Sequence, residues 1–355
     1  MKPKIADGAE EGTPPILEDS IERSELQKGR LVYLEQCAAC HGVTGDGKGP
    51  AAPYLDPPPR DYRAGKFKFG STPRGSKPRH EDLVRIVRRG AKGTSMPSFR
   101  WLPDDEVNAV VAYVILLSSR GEVELGLARE SENSLDEADD FPVDVAASHV
   151  QRVAEDWDAA GSKVVLPMTP ATRSSPESIE RGARAFVEFS CFKCHGKDGR
   201  GNKTADVGKD DWGRIAFAAD LTTGTLHGGR RPIDIYRRIY SGINGTPMPA
   251  FNQPDAAKGE TNVQRSEKIW DLVHFITSIV EGREIPTALI DEAVKVQLER
   301  EAAGAAAPAE GAAPAEEAKP ETPAEPAKEP EPAKEAAPAE AAAPAEAPAA
   351  EAGSK

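Results

Sequence analysis

Cys37-Ala38-Ala39-Cys40-His41 places two thiols three residues apart and an imidazole directly after the second. The same run returns as Cys191-Phe192-Lys193-Cys194-His195, and the two copies account for all four cysteines of the 355-residue chain. A Cys-x-x-Cys-His run is the attachment signal for a c-type haem. Each thiol bonds to a vinyl group of the porphyrin, and the adjacent imidazole lies over the iron as its proximal ligand. The first-order expectation is two covalently bound haem c groups, one per run.

Other chemistries of cysteine fit less well. Two disulfides would not require a histidine after each second cysteine. A zinc site needs both Cys-x-x-Cys pairs in one small module, whereas Cys191 follows Cys37 by about 150 positions and two helical patterns intervene. A thioredoxin-like pair calls for a βαβ pattern, and none is visible.

The length allows two or three domains. The formal net charge is −13 and unevenly placed. Residues 301–355 hold twelve Glu against four Lys, a net −8, so the rest of the chain carries −5. No run of 18 apolar residues occurs, and so no membrane-spanning helix is expected. The start, Met1-Lys2-Pro3-Lys4, lacks the apolar core of a signal peptide.

Working outward from the first run, residues 1–23 are polar and acidic and form an N-terminal arm. Residues 24–119 form a first module. Ser24–Gln36 is expected to be a helix with apolar Leu26, Leu31 or Val32, and Leu34. A glycine turn (Gly42 to Gly47) and a Pro/Arg/Lys-rich loop (57–79) follow. His80–Gly90 has Leu83, Ile86 and Val87 at helical spacing and a glycine at its end. Asp104–Ser118 is the last helix. Residues 120–176 are a linker, in which Val143, Ala146, Val150, Val153 and Trp157 predict one amphipathic helix and Val164–Met168 a short extended segment. Residues 177–300 repeat the module, with helices over 179–190, 233–241 and 267–280 and an exposed helical extension over 287–300. The Ala/Pro/Glu-rich tail, 301–355, has almost nothing to bury and is expected to be disordered. The chain is thus an internal duplication.

Each module also carries a methionine at matching distance from its histidine, 55 residues for Met96 and 53 for Met248. Gly93-Thr94-Ser95-Met96-Pro97 and Gly245-Thr246-Pro247-Met248-Pro249 share one pattern. A lone methionine is usually core filler, but both of these sit in polar Gly/Pro turns. They are the candidate distal ligands, so the metal ligands are His41, Met96, His195 and Met248. Met168, in the linker, is assigned to packing, and His80, His149, His227 and His274 to surface or packing roles. His227 is the histidine to watch, because its loop lies between the second run and Met248.

Residues 24–119 and 177–285 each resemble a small all-α cytochrome c domain. The resemblance implies an all-α protein of two tandem cytochrome c domains joined by a long linker, with Cys37, Cys40, His41, Met96, Cys191, Cys194, His195 and Met248 as haem-binding residues and no catalytic residue. In that family a glycine and an aromatic on the first helix meet an aromatic on the last. Gly29 and Tyr33 against Tyr113, and Gly182 and Phe186 against Phe275, fill those positions. A proline carbonyl holds the proximal imidazole in the family. Gly49-Pro50 matches in the first module; the second has no proline between Lys197 and Asp211 and needs another carbonyl.

The resemblance implies one-electron transfer between redox protein partners, as a subunit or peripheral partner of a membrane respiratory complex. It also implies a location outside the cytoplasm, in the periplasm or an equivalent space, and hence an export signal or anchor removed from this sequence. The alternative is a dihaem peroxidase-like oxidoreductase in which one distal methionine leaves. A third class is an assembly subunit that acts through its tail and linker. Residues 42–100 hold thirteen Lys/Arg against five Asp/Glu; this surplus could dock an acidic partner near the first haem, or be an ordinary solvated face or a partner for the acidic tail of the same chain. Nucleic acid is not an expected partner.

Overall fold

Several of the helices begin or end at caps that the chain supplies. In the computed structural model, residues 2–4, 16–18, 23–134, 143–202 and 207–306 are described. The expectation of disorder for 301–355 is corrected over 301–306, which are helical, and beyond residue 306 it lies outside the described residues. In the arm, strands β1 (Lys2–Lys4) and β2 (Ile16–Glu18) pair antiparallel; the rest of the described chain is helix and loop.

The first module comprises α1 (Arg23–Gln36), α2 (Ala38–His41), α3 (His80–Arg89) and α4 (Asp104–Ser134). Asp82 accepts from the backbone N–H of Arg79 at the start of α3, and Gly90 ends α3 at φ 66°, a left-handed angle that costs glycine nothing. On α1, Val32 and Tyr33 are buried and Leu31 is exposed. The linker helix α5 (Val143–Ala159) lies on α4. It buries Val153 and sets Trp157 edge-on to Phe67.

In the second module, α6 (Pro176–Glu188) starts with reciprocal bonds between Ser175 and Ser178, and α9 (Asn262–Val280) with a Thr261/Gln264 capping box. Between them lie α7 (Phe192–His195) and α8 (Pro232–Ser241). The pairs α1/α4 and α6/α9 cross in the same way. A Cβ on Gly29 would overlap the carbonyl of Ala109, and one on Gly182 the carbonyl of Asp271. The rings beside these crossings meet as expected: Tyr33 and Tyr113 at 5.4 Å, Phe186 and Phe275 at 5.5 Å.

Three expectations are corrected. The helix predicted over 104–118 runs on to Ser134. Its extension is fastened by the ion pair of Glu122 with Lys77 and by Gly121, which lies against the backbone of Arg63. The extension α10 (Thr287–Ala306) is not exposed all round: Ile290 and Val294 are 0% and 3% exposed and complete the second core. Met168, assigned to packing, is instead 60% exposed.

The two modules touch directly. The extended segment near Val165 straps them together, because its N–H bonds to the Ser71 carbonyl and its own carbonyl accepts from Arg237. Among the described residues no helix is long and apolar enough to cross a membrane.

Candidate haem-binding sites

Each attachment run is one turn of helix presented by the helix before it. Cys37 N–H bonds to the Tyr33 carbonyl, so α1 passes almost without break into α2. In the second module Ser190 adopts φ 57°, and Cys191 N–H reaches the Phe186 carbonyl instead. Gly42 and Gly196, at φ 76° and 72°, end the turns and bond to the carbonyls of Ala38 and Phe192, both at 2.9 Å.

Both imidazoles are fixed from behind. His41 Nδ1 lies 3.1 Å from the Arg60 carbonyl, and His195 Nδ1 lies 3.0 Å from the Ala219 carbonyl. A carbonyl on Nδ1 selects the tautomer whose Nε2 carries the lone pair that a metal requires. The expected Pro50 carbonyl is not the partner. Its loop folds back on the attachment turn instead, with Gly49 N–H on the Cys40 carbonyl and Ala51 N–H on that of Ala39. In the first module Tyr62 also lies 5.4 Å from the His41 ring; its hydroxyl donates to Tyr33, which donates to the Gly42 carbonyl, both at 2.6 Å. Tyr62 stands in an aperiodic Pro/Arg loop, where no spacing signals its role.

The methionine turns match bond for bond. The Met96 carbonyl accepts from Ala91 N–H at 3.2 Å, and the Met248 carbonyl from Ile243 N–H at 3.3 Å. The hydroxyls of Thr94 and Thr246 donate to the Ala91 and Ile243 carbonyls and accept the N–H of Met96 and Met248. Gly90 and Gly242 lie against the turns, where a Cβ would press on the Met96/Pro97 and Met248/Pro249 carbonyls.

The donor set fits a haem. All four cysteines are free thiols. Burial pushes the thiols of Cys37 and Cys191 up to about 12, the opposite of the lowered value that makes a Cys-x-x-Cys pair a redox catalyst. Burial also lowers His41 and His195, which keeps them neutral. Among the described residues no three His, Cys, Asp or Glu side chains converge as a metal cluster would require. Of the other histidines, His274 is buried and bonds to Ser178 Oγ and the Thr172 carbonyl. His227 lies across the module boundary, beside Gly93 of the first methionine turn.

Many cations of residues 42–100 are engaged within the chain. Arg60 stacks 3.7 Å over Trp212, Lys66 pairs with Asp211, and Arg74 donates to the carbonyls of Thr246 and Met248. Arg63, Lys77, Arg85 and Arg88 pair with Asp61, Glu122, Asp82 and Asp104. The surplus counted from the sequence therefore overstates the charge free to dock a partner.

Comparisons with known proteins agree with this geometry. Residues 24–114 match the family model of subunit III of cbb3-type cytochrome c oxidase, and residues 179–279 that of cytochrome c. The chain is similar to the ammonia monooxygenase gamma subunit of Nitrosomonas europaea, 32% identical over 22% of this chain and 30% of that protein. It is also similar to the cbb3-type oxidase subunit CcoP of Helicobacter pylori, 22% identical over 56% of this chain and 43% of that one. The chain thus spans less than half the length of these curated relatives. A solved chain of the reducing HAO-like protein complex of Kuenenia stuttgartiensis superposes with a TM-score of 0.52 and 29% identity, over 71% of this chain and 96% of that one. The protein carries two cytochrome c-type domains in tandem, and its Cys37/Cys40 and Cys191/Cys194 runs are consistent with two haems.

Proposed function

We propose that the protein is a dihaem cytochrome c that carries single electrons between redox partners as part of a respiratory complex, outside the cytoplasm. The observation that carries this reading is the repeated pair of a carbonyl-fixed imidazole and a threonine-closed methionine turn. When bound, a haem supplies a one-electron couple. His41 and His195, through Nε2, and Met96 and Met248, through their thioethers, would hold the irons. Cys37, Cys40, Cys191 and Cys194 would tether the rings. Thioether ligation raises the potential. The apolar helix crossings would shield the rings from water, and iron held by both a histidine and a methionine would serve electron transfer rather than substrate binding. The domains we assign are 24–119 and 177–300, with partners of the kind that contain the similar subunits.

An optical redox titration of the haem-loaded chain, repeated with carbon monoxide and peroxide, tests this. Two low-spin transitions and no ligand binding are expected. A high-spin haem that binds either ligand would overturn the carrier reading in favour of chemistry at that haem.

A further inference from the structure

The two sites match in backbone around each imidazole but not in polarity. Tyr62 N–H bonds to the Gly45 carbonyl at 3.1 Å, and Leu221 N–H to the Gly199 carbonyl at 2.8 Å. Each of these residues stands two after the one whose carbonyl fixes the imidazole, Arg60 or Ala219. Leu221 is therefore the counterpart of Tyr62. Phe186 is the counterpart of Tyr33, since each lies four residues after the glycine of its helix crossing. The first site thus holds two hydroxyls where the second holds hydrocarbon.

Those hydroxyls form a chain beside the first imidazole. Tyr62 donates to Tyr33, and Tyr33 donates to the carbonyl of Gly42, the residue after His41. Tyr62 and Tyr33 are 4% and 0% exposed. The Tyr62 ring lies 5.4 Å from the His41 ring at 36°, and a Cβ on Gly45 would strike it. Imidazole, glycine turn and Tyr62 are packed as one unit. Burial pushes both hydroxyls above the ordinary tyrosine range, which keeps them neutral, so they act as fixed dipoles rather than charges. The guanidinium of Arg60 lies over Trp212, where the carboxylates of Asp210, Asp61 and Asp211 offset its charge. Hydrogen bonding and polarity around a ligand tune the potential of the metal it holds. Ferric iron carries one more positive charge than ferrous iron, so a polar shell favours the ferric state and lowers the potential.

We propose that Tyr33 and Tyr62 are positioning residues of the first centre: they set the His41 ring, make its surroundings polar, and place the potential of the first centre below that of the second. The proposal rests on the two-haem reading above. Two matching ligand sets are thereby made unequal, and a difference of this sign gives the molecule a direction, from the first module to the second.

The test compares the haem-loaded full chain with Tyr33→Phe, Tyr62→Phe and the control Tyr236→Phe, which removes a buried hydroxyl bonded to Ser266 in the second module. Haem content is read first; fewer than two haems per chain overturns the two-haem reading and the proposal with it. A redox titration then resolves the two potentials, with the first assigned as the one lost to a high-spin form in Met96→Ala, and thermal unfolding is followed in parallel. The first potential should lie below the second in the parent. It should rise in both Tyr33→Phe and Tyr62→Phe, while the second stays in place and Tyr236→Phe leaves the first unmoved. Two haems with a first potential above the second, or a first potential that stays put in Tyr33→Phe and Tyr62→Phe even as their unfolding midpoints fall, would reduce the pair to packing and overturn the proposal alone.

Discussion

Met96 and Met248 hang from turns closed by Thr94 and Thr246, so the backbone that carries each thioether is set by hydrogen bonds within its own turn. Replacing Met248 with alanine should leave that turn folded and vacate one coordination position. The expected outcome is one high-spin haem that binds carbon monoxide, with the other unchanged; Met96→Ala should do the same at the first module. Visible spectra with carbon monoxide check both. Gly29 and Gly182 are constrained differently, because a Cβ at either would strike a carbonyl of the crossing helix. Overpacking of this kind costs about 1–3 kcal/mol, so Gly29→Ala and Gly182→Ala should each lower the unfolding midpoint in calorimetry. At this scale the residues proposed to hold a haem can be picked from the sequence, since Cys-x-x-Cys-His and a Gly/Pro-bound methionine are patterns of residue type. Arg60 and Ala219 cannot. They serve His41 and His195 through backbone carbonyls, which every residue owns, so their identity carries no signal.

The helices were legible in their middles and less so at their ends. The α4 extension lost its signal because residues 122–134 are mostly charged or small, a composition that suits an acidic linker as well as a helix held by Lys77. In α10, Ile290 and Val294 are four apart, but two apolar residues in an Ala/Glu-rich stretch form a weak stripe. The structure makes them core, and Ile290→Ala should cost about 2–5 kcal/mol, read as loss of stability in denaturant unfolding of the second module. Between α6 and α9, Glu188 accepts from Lys258 at 3.0 Å and Lys268 at 2.9 Å. Burial pushes its carboxyl up, but Lys268 and Lys258 outweigh that and hold it below its ordinary 4.5. A lowered carboxyl contributes stability that is complete above the ordinary value and lost as pH falls through the folded one. Glu188→Gln should therefore be less stable than the parent at pH 7, by at most about 1 kcal/mol for so exposed a network, and the difference should vanish as the pH falls below 4.5. Thermal unfolding across pH 7 to 3 measures it.

At the scale of the whole molecule, the duplication was legible but the seam was not. A sequence counts charges without saying what they meet, and Arg60, Lys66 and Arg74 each find a partner on the second module. Arg74 belongs to the first module yet holds the carbonyls of the turn that carries Met248. Arg74→Gln should consequently move the potential of the second haem more than that of the first, as a redox titration would resolve. Trp212 extends the same logic. Its indole N–H bonds to the Asp61 carbonyl at 3.0 Å, next to the carbonyl that fixes His41, while its ring fills the space over Gly245 in the second methionine turn. One aromatic wedge thus sets the distance between the mounting of one centre and the mounting of the other. An electron passing between the two proposed centres would then cross a packed joint, and solvent viscosity should leave the crossing rate unchanged.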